Sequence, residues 1–362
     1  MARILIYGGS FDPIHNGHIN IAKEIMLALN IDRVIFEPAL APRWKTPNVE
    51  AKHRLEMLKI AISKYPCFEY DLFEFNSHSE ENYSIDTIRY FKNKYPNDEL
   101  YFLIGYDQLD KLDKWYKIDE LSKLTRIVAY NRSGYDKNQG NIEKYHVLLV
   151  EGPQFDVSST EVRELKSIDV DEDVLHYILM NKLYFASKLA NRISDKRYYH
   201  SVEVAMLALK VANNNSIDPL KAFQAALLHD IGKEVEQDET LNIMNAELID
   251  YKNIPKFSYH QFVGAYLAKT LFKIEDKEVV DAIKFHATGN SDMTPIGMIV
   301  YASDKIEPTR GFDSSKLIES LVNDYYSGFI TVLAENKKFL LNKNASIDNP
   351  LTTACMNQYL KY

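Results

Sequence analysis

Hydrophobic positions along the 362-residue chain follow two different periods. Up to about Tyr184, short apolar runs at residues 3–7, 33–36, 100–104, 126–130 and 147–150 alternate with amphipathic stretches such as 19–29 and 52–64. The runs are rich in β-branched and aromatic side chains and are bounded by Gly, Pro, Asn or Asp, as buried parallel strands are. Their alternation with helical patterns predicts an α/β doubly wound parallel sheet with right-handed crossovers. From about Phe185 the strand-like runs nearly vanish. Residues 202–211, 220–228, 262–272, 278–285 and 316–329 read at helical period, so the second half is expected to be an all-α helical bundle. The polar stretch 185–196 is not rich in Gly or Ser and predicts a short helical connection. The expected domains are 1–187 and 188–362, a division that suits the length.

Composition narrows the classes. With 46% hydrophobic and 26% charged residues, 13 Gly and 12 Pro, the chain is neither collagen-like, low-complexity nor disordered. Its 51 acidic and 43 basic side chains leave a net charge of −8, which argues against a general electrostatic grip on nucleic acid or an anionic membrane. Any phosphate must therefore be held locally. Cys67 and Cys355 are too few for a disulfide scaffold and do not form a Cys-x-x-Cys pair, which fits a reducing compartment. The N-terminus lacks a signal-peptide pattern and no long apolar window occurs, so a soluble cytoplasmic protein is expected. Homo-oligomerisation is left open.

The first predicted strand runs into Gly8-Gly9-Ser10-Phe11-Asp12-Pro13-Ile14-His15-Asn16-Gly17-His18, and a helical pattern follows at once. Glycines between a strand and a helix let the backbone close on a phosphate, and the helix N-terminus adds a favourable dipole. His15 and His18 are three apart and share a face, where two imidazoles can donate to a nucleotide phosphate. Near the end of the first half, Ser158, Ser159 and Thr160 are good N-cap types with Arg163 one turn on, so hydroxyls, amides and a guanidinium can converge on an anion. The plainer reading of each motif is a tight turn and an ordinary helix cap; their joint occurrence favours the two walls of a polyphosphate site.

The first motif resembles the nucleotidyltransferase superfamily with the His-x-Gly-His signature, and more narrowly the nicotinate-mononucleotide adenylyltransferases. Further strings of this chain match that family in order: 38–45 is similar to its proline-rich loop, with Trp44 where the family has His; 82–88 is similar to its Ser-Tyr-Thr-x-Asp-Thr-Leu; and 157–163 to its Ile-Ser-Ser-Thr-x-x-Arg. The resemblance covers residues 1 to about 187. It implies a Rossmann-like fold and transfer of AMP from ATP to nicotinate mononucleotide with Mg²⁺, giving deamido-NAD and pyrophosphate. It also implies ATP contacts from Gly8, Gly9, Ser10, Phe11, His15, His18, Gly105, Asp107, Arg132, Ser158, Ser159, Thr160 and Arg163, with His15, His18 and Arg163 catalytic. Lys45, Tyr83, Thr87 and Trp115 would face the mononucleotide. Trp115 can equally be a core residue. A sister adenylyl- or cytidylyltransferase is the alternative.

In the second half His200, His229-Asp230, His260, His286 and Asp304 are separated by gaps that place them on different helices, as in bundles that converge ligands on an interior metal. One helical His is usually a satisfied core residue. Four with two Asp inside apolar stretches are hard to bury without a metal. Here the chain resembles the HD-domain phosphohydrolases, and more narrowly the bacterial symmetrical diadenosine tetraphosphate hydrolases, with Ser303 where Ala is usual. That resemblance implies a dinuclear metal site, iron by family habit, and cleavage of diadenosine tetraphosphate to two ADP. Two ions suit phosphoanhydride cleavage because they stabilise both the attacking and the leaving oxygen. Asp230 is the candidate bridging carboxylate. Lys233, four residues after His229, is either a phosphate ligand on the same helix face or a solvated lysine. Thr288, Lys305 and Arg310 lie close to ligands in sequence. A cyclic-dinucleotide or alarmone phosphohydrolase, or a nucleotide-binding regulatory module without turnover, are the alternatives.

Overall fold

The computed structural model describes residues 1–40, 46–77, 83–130, 139–249, 254–342 and 349–360. Lys45, its neighbour Trp44, and Arg132 lie outside the described residues. Contacts divide the chain into Met1–Tyr184 and Phe185–Tyr362.

In the first unit the described residues form a parallel sheet of β1 (Arg3–Gly9), β2 (Arg33–Pro38), β3 (Phe68–Tyr70), β4 (Glu99–Ile104), β5 (Arg126–Tyr130) and β6 (Leu148–Val150), in the order β3-β2-β1-β4-β5-β6. Ile4, Leu5, Ile6, Val34, Ile35 and Phe36 are buried because helices cover both faces, so their strands read as continuous apolar runs. The edge strand β3 escapes the sequence pattern: it is three residues long and only Phe68 is buried. The chain order reverses between β1 and β4, and ligands of open α/β sheets bind at the carboxyl ends of strands beside such a switch point. Tyr7 pairs with Leu103, so Gly8-Gly9 and Gly105 leave the sheet side by side.

The second unit is helical throughout its described residues. His200 stands in helix Asp195–Asn214, His260 in Tyr259–Phe272 and Asp304 in Pro295–Ile306. His229 and His286 are not inside helices, as expected, but at the C-caps of Pro219–Leu228 and Lys277–Phe285. The expected helix 316–329 is two helices, Ser315–Asn323 and Tyr325–Asn342. Asp324 separates them because its backbone is extended and its Oδ1 accepts from the N–H groups of Tyr326 and Ser327, starting a new helix. The stretch 185–196 begins with a helix, Phe185–Ala190, whose Phe185, Ala186 and Leu189 are buried in the second unit's core. No helix among the described residues is long and apolar enough to cross a membrane.

Glu37 is a buried carboxyl at the end of β2. It is fully enclosed, its Oε1 accepts from the Glu74 N–H at 2.9 Å, and burial, reinforced by the charges of Glu74 and Asp71, pushes it up to about 8. In the unfolded chain it titrates near 4.5. The folded state therefore holds this proton more tightly, and stability is lost as pH rises from about 4.5 to about 8. Glu37→Gln should match the wild type in thermal stability near pH 4 and exceed it by on the order of a few kcal/mol at pH 8. Melting curves of the two proteins across that range that run parallel would refute a protonated Glu37.

Candidate active sites

At the head of the first unit, Phe11 turns the chain with φ of 44°, a conformation costing about 1 kcal/mol for a non-glycine residue. Its buried ring offsets this by packing edge-on against Tyr7, Phe36 and His18. His15 caps helix Asn16–Leu29, and its backbone N–H donates to His18 Nδ1 at 3.2 Å. A nitrogen that accepts carries no proton, so neutral His18 holds its proton on Nε2 and offers a donor there. The two rings lie 3.7 Å apart. Gly17 permits this, since a Cβ there would sit 2.9 Å from both His15 Nδ1 and Val157 Cγ1.

The second serine-rich motif meets the first. Ser159 Oγ donates to the Pro13 carbonyl at 2.9 Å, and Arg163 donates to the Asp12 carbonyl at 2.6 Å and to Thr160 Oγ1 at 2.7 Å. Ser158 closes a capping box with Glu161. In this arrangement the hydroxyls of Ser158 and Ser159 are engaged within the chain. Asp12 is itself buried, accepting from Asn48 and from the Tyr184 hydroxyl. Arg54, which the sequence reading passed over, is fully buried and donates to the carbonyls of Ser10, Ala39 and Leu40, pinning the chain after β1 to the chain after β2. Its signal was available: Arg54 falls on the same helical face as Met57, Leu58 and Ala61.

Gly105 opens the turn to Asp107, whose Oδ2 accepts from Gln108. Tyr83 is the N-cap of helix Ser84–Lys94 and its ring lies 4.5 Å from that of Tyr116 at a tilt of 42°, while Thr87 is buried in that helix. Trp115 is half-buried and meets Phe102 edge-on at 6.3 Å. It is thus partly a core residue and partly exposed.

In the second unit all six candidate ligands converge. His229 Nε2 lies 3.5 Å from Asp304 Oδ1 and 3.7 Å from Asp230 Oδ1, while His260 and His286 Nε2 are each 3.4 Å from Asp230 Oδ1. Two groups of ligand atoms result, His200–His229–Asp304 and His229–Asp230–His286, each within 4.8 Å. The Nδ1 atoms of His229, His260 and His286 donate to the carbonyls of Ala226, Phe257 and Ile283 at 2.7–2.8 Å. A carbonyl only accepts, so each neutral ring must leave its Nε2 as a bare lone pair. His260 and His286 Nε2 nevertheless face each other at 3.1 Å, and the buried His229 Nε2 has no hydrogen-bond partner. Facing lone pairs beside carboxylates fit metal ions.

Burial alone raises Asp230 and Asp304, while the imidazoles in their protonated form and the nearby Lys233 and Lys305 outweigh it and lower both carboxyls. Burial and the neighbouring His286 push His260 down to about 3, which keeps its ring neutral. Burial also lowers His200, yet its hydrogen bonds to Asp304 and Glu307 outweigh it and leave the ring raised. Four cations border the carboxylates. Arg197 Nη1 and Lys233 Nζ reach Asp230 at 3.3 and 3.2 Å, Arg310 bonds Asp304, and Lys305 donates to the His286 carbonyl from above the Tyr301 ring. Lys233 does not share a helix face with His229 as expected, because the helix ends at Leu228 and Lys233 lies in the following turn. Thr288 is buried against Gln261, which also accepts from the Ala287 N–H.

A cytidylyltransferase-like family model matches residues 6–165 and an HD-domain model residues 197–309. Over 311 residues, 85% of this chain and 88% of the relative, the chain is 35% identical to the "probable nicotinate-nucleotide adenylyltransferase/Ap4A hydrolase" of Mycoplasma genitalium. It belongs to the nicotinate-nucleotide adenylyltransferase/Ap4A hydrolase family. A Mycoplasma pneumoniae protein of the same description is 31% identical over 88% of this chain and 95% of its own. The nicotinate-nucleotide adenylyltransferase of Bacillus subtilis is 38% identical over 51% of this chain and 99% of its own. In this member of the adenylyltransferase/Ap4A hydrolase family, the first match contains both phosphate motifs and the second contains all six metal-type ligands. An HD domain is a metal-dependent hydrolase domain, and the two ligand groups are where this one can hold its ions.

The turn that carries His229 and Asp230 reaches its place through Gly232. A Cβ there would collide with the His260 carbonyl oxygen and sit 2.6 Å from the Gly264 nitrogen. Backbone cannot give way as a side-chain tip can, so Gly232→Ala should destabilise the second unit by about 1–3 kcal/mol. Calorimetry should register this as a lowered transition of the metal-free protein; an unchanged transition would show that the turn and helix Tyr259–Phe272 are not locked together.

Proposed function

We propose that the chain is a bifunctional enzyme whose first unit makes deamido-NAD and whose second hydrolyses diadenosine tetraphosphate to two ADP. The observation that carries the first half is the junction at the sheet's switch point, where Ser159 and Arg163 bond to the Pro13 and Asp12 carbonyls beside His15 and His18. An oxygen of the nicotinate mononucleotide 5′-phosphate bonds to the α-phosphorus of ATP, which enters as its magnesium complex, and the bond to pyrophosphate breaks. No protein nucleophile is required; the chain supplies position and charge. His18, with Nε2–H as donor, and His15 hold the transferring phosphate. Arg163 and Thr160, with Ser158 and Ser159 behind them, hold the β and γ phosphates, and Gly8, Gly9, Ser10, Phe11, Gly105, Asp107 and Arg132 complete the ATP site. Lys45, Tyr83, Thr87 and Trp115 receive the mononucleotide, with Trp115 giving the pyridine ring a face to stack on.

The second half is carried by the four imidazole Nε2 atoms facing Asp230 and Asp304. His200, His229, His260, His286, Asp230 and Asp304 hold two transition-metal ions, which we take to be iron. When bound, such ions stabilise charge on the attacking and leaving phosphate oxygens. Lys233, already drawn to Asp230, holds a phosphate of the substrate. We place the protein in the cytoplasm, where its free Cys67 and Cys355 stay reduced.

Purified protein with ATP and Mg²⁺ should release pyrophosphate with nicotinate mononucleotide and do so faster than with nicotinamide mononucleotide. Pyrophosphate release with neither substrate ends the first assignment. From diadenosine tetraphosphate the metal-loaded protein should give two ADP, and His229→Ala should abolish this while leaving deamido-NAD synthesis intact. ATP plus AMP as products, or hydrolysis that survives in His229→Ala, would end the second.

A further inference from the structure

Three of the four imidazoles in the second unit are oriented by main-chain carbonyls, and the reason is where they stand. Ala226 and Ile283 lie in the last turns of their helices, where carbonyls lack the regular partner four residues on, and Phe257 lies in the short turn Lys256–Ser258 before His260. His200 stands inside the 20-residue helix Asp195–Asn214, where the helix's own ladder uses the carbonyls one turn back. It needs an acceptor from elsewhere. Glu307 supplies one: its Oε1 lies 3.1 Å from His200 Nδ1, leaving Nε2 directed at Asp304 at 3.1 Å.

Glu307 is built for this task. It caps helix Pro295–Ile306, three residues after Asp304, and is only 2% exposed. A buried carboxylate is costly unless its oxygens are satisfied. Thr309 satisfies them, its N–H donating to Oε2 at 2.6 Å and its Oγ1 lying 2.8–2.9 Å from both oxygens. Thr309 thereby holds both carboxylate oxygens, including the Oε1 that faces His200.

We propose that Glu307 is a positioning residue that fixes which nitrogen His200 presents, and so sets the affinity of one of the two ions, the one shared by His200, His229 and Asp304. This rests on the two-metal reading of the second unit. Losing such an outer partner costs about 10–100-fold in metal affinity. The other ion, served by His229, Asp230 and His286 with His260 beside them, has every imidazole anchored by a main-chain carbonyl and should not notice.

Manganese(II) titration of the full-length apoprotein, read by bound metal per chain, tests this. The wild type should bind two ions, Glu307→Ala should weaken one of them about 10–100-fold, and the isosteric Glu307→Gln should recover part of the loss because its amide oxygen still accepts from Nδ1. His260→Ala should weaken the other ion, and the Glu307→Ala/His260→Ala double variant both. Fewer than two ions on the wild type would overturn the two-metal reading and this inference with it. Two wild-type ions with an unaltered Glu307→Ala titration, or equal weakening of both ions, would overturn the inference alone. Glu307→Gln guards against misfolding: if it binds both ions as the wild type does while Glu307→Ala does not, orientation and not charge is the cause, as proposed.

Discussion

An imidazole has two nitrogens, and whatever the backbone does to one decides what the other can offer. Both candidate sites depend on this constraint. At the N-terminus of helix Asn16–Leu29 the backbone presents N–H groups, so His18 Nδ1 accepts and Nε2 becomes a donor suited to an anion. At the C-termini of Pro219–Leu228 and Lys277–Phe285 the backbone presents carbonyls, so His229 and His286 donate and their Nε2 atoms become lone pairs suited to a cation. The same side chain thereby offers a donor in one unit and a lone pair in the other, according to the polarity of the helix end where it stands.

Local tuning is also how a chain of net charge −8 can handle polyphosphates. Its positive charge near the sites comes from few groups. Arg163 is bound to the Asp12 carbonyl, Arg197 is pinned by Glu234 at 2.9 Å, and Lys305 sits over the Tyr301 ring at 3.6 Å. Each is held in one geometry by a second partner, so little side-chain entropy remains to be lost when a phosphate arrives. Strand ends and helix ends do the rest through oriented backbone groups.

Much of this was legible in the sequence. β1, β2, β4, β5 and β6 stood out because buried parallel strands are uniformly apolar, and both phosphate motifs and all six metal-type ligands were visible as residue types at telling spacings. What escaped is what pattern does not encode. β3 is too short to show a period, and Asp324 interrupts a helical stretch without changing its hydrophobic spacing. His229 and His286 stand at helix ends, where their Nδ1 atoms bond terminal carbonyls, and no ligand motif mentions those carbonyls. Arg54 and Glu307 are charged residues doing buried structural work. From sequence alone a charged residue defaults to the surface, and only the packing of other elements around them reveals the carbonyls or the imidazole they serve.

Ser159 and Pro13 are 146 positions apart, yet a single hydrogen bond joins them, and Arg163 reaches Asp12 across 151. The intervening chain is a closed circuit that returns to its starting point through the sheet. Closing such a circuit costs entropy that grows only with the logarithm of its length, about 0.6 kcal/mol for each doubling. Connections on the carboxyl edge of the sheet can therefore be lengthened or shortened with little effect on how the two phosphate motifs meet. A scaffold of this kind separates the part that must stay fixed, the junction of the two motifs, from the part free to diverge, the loops that connect them.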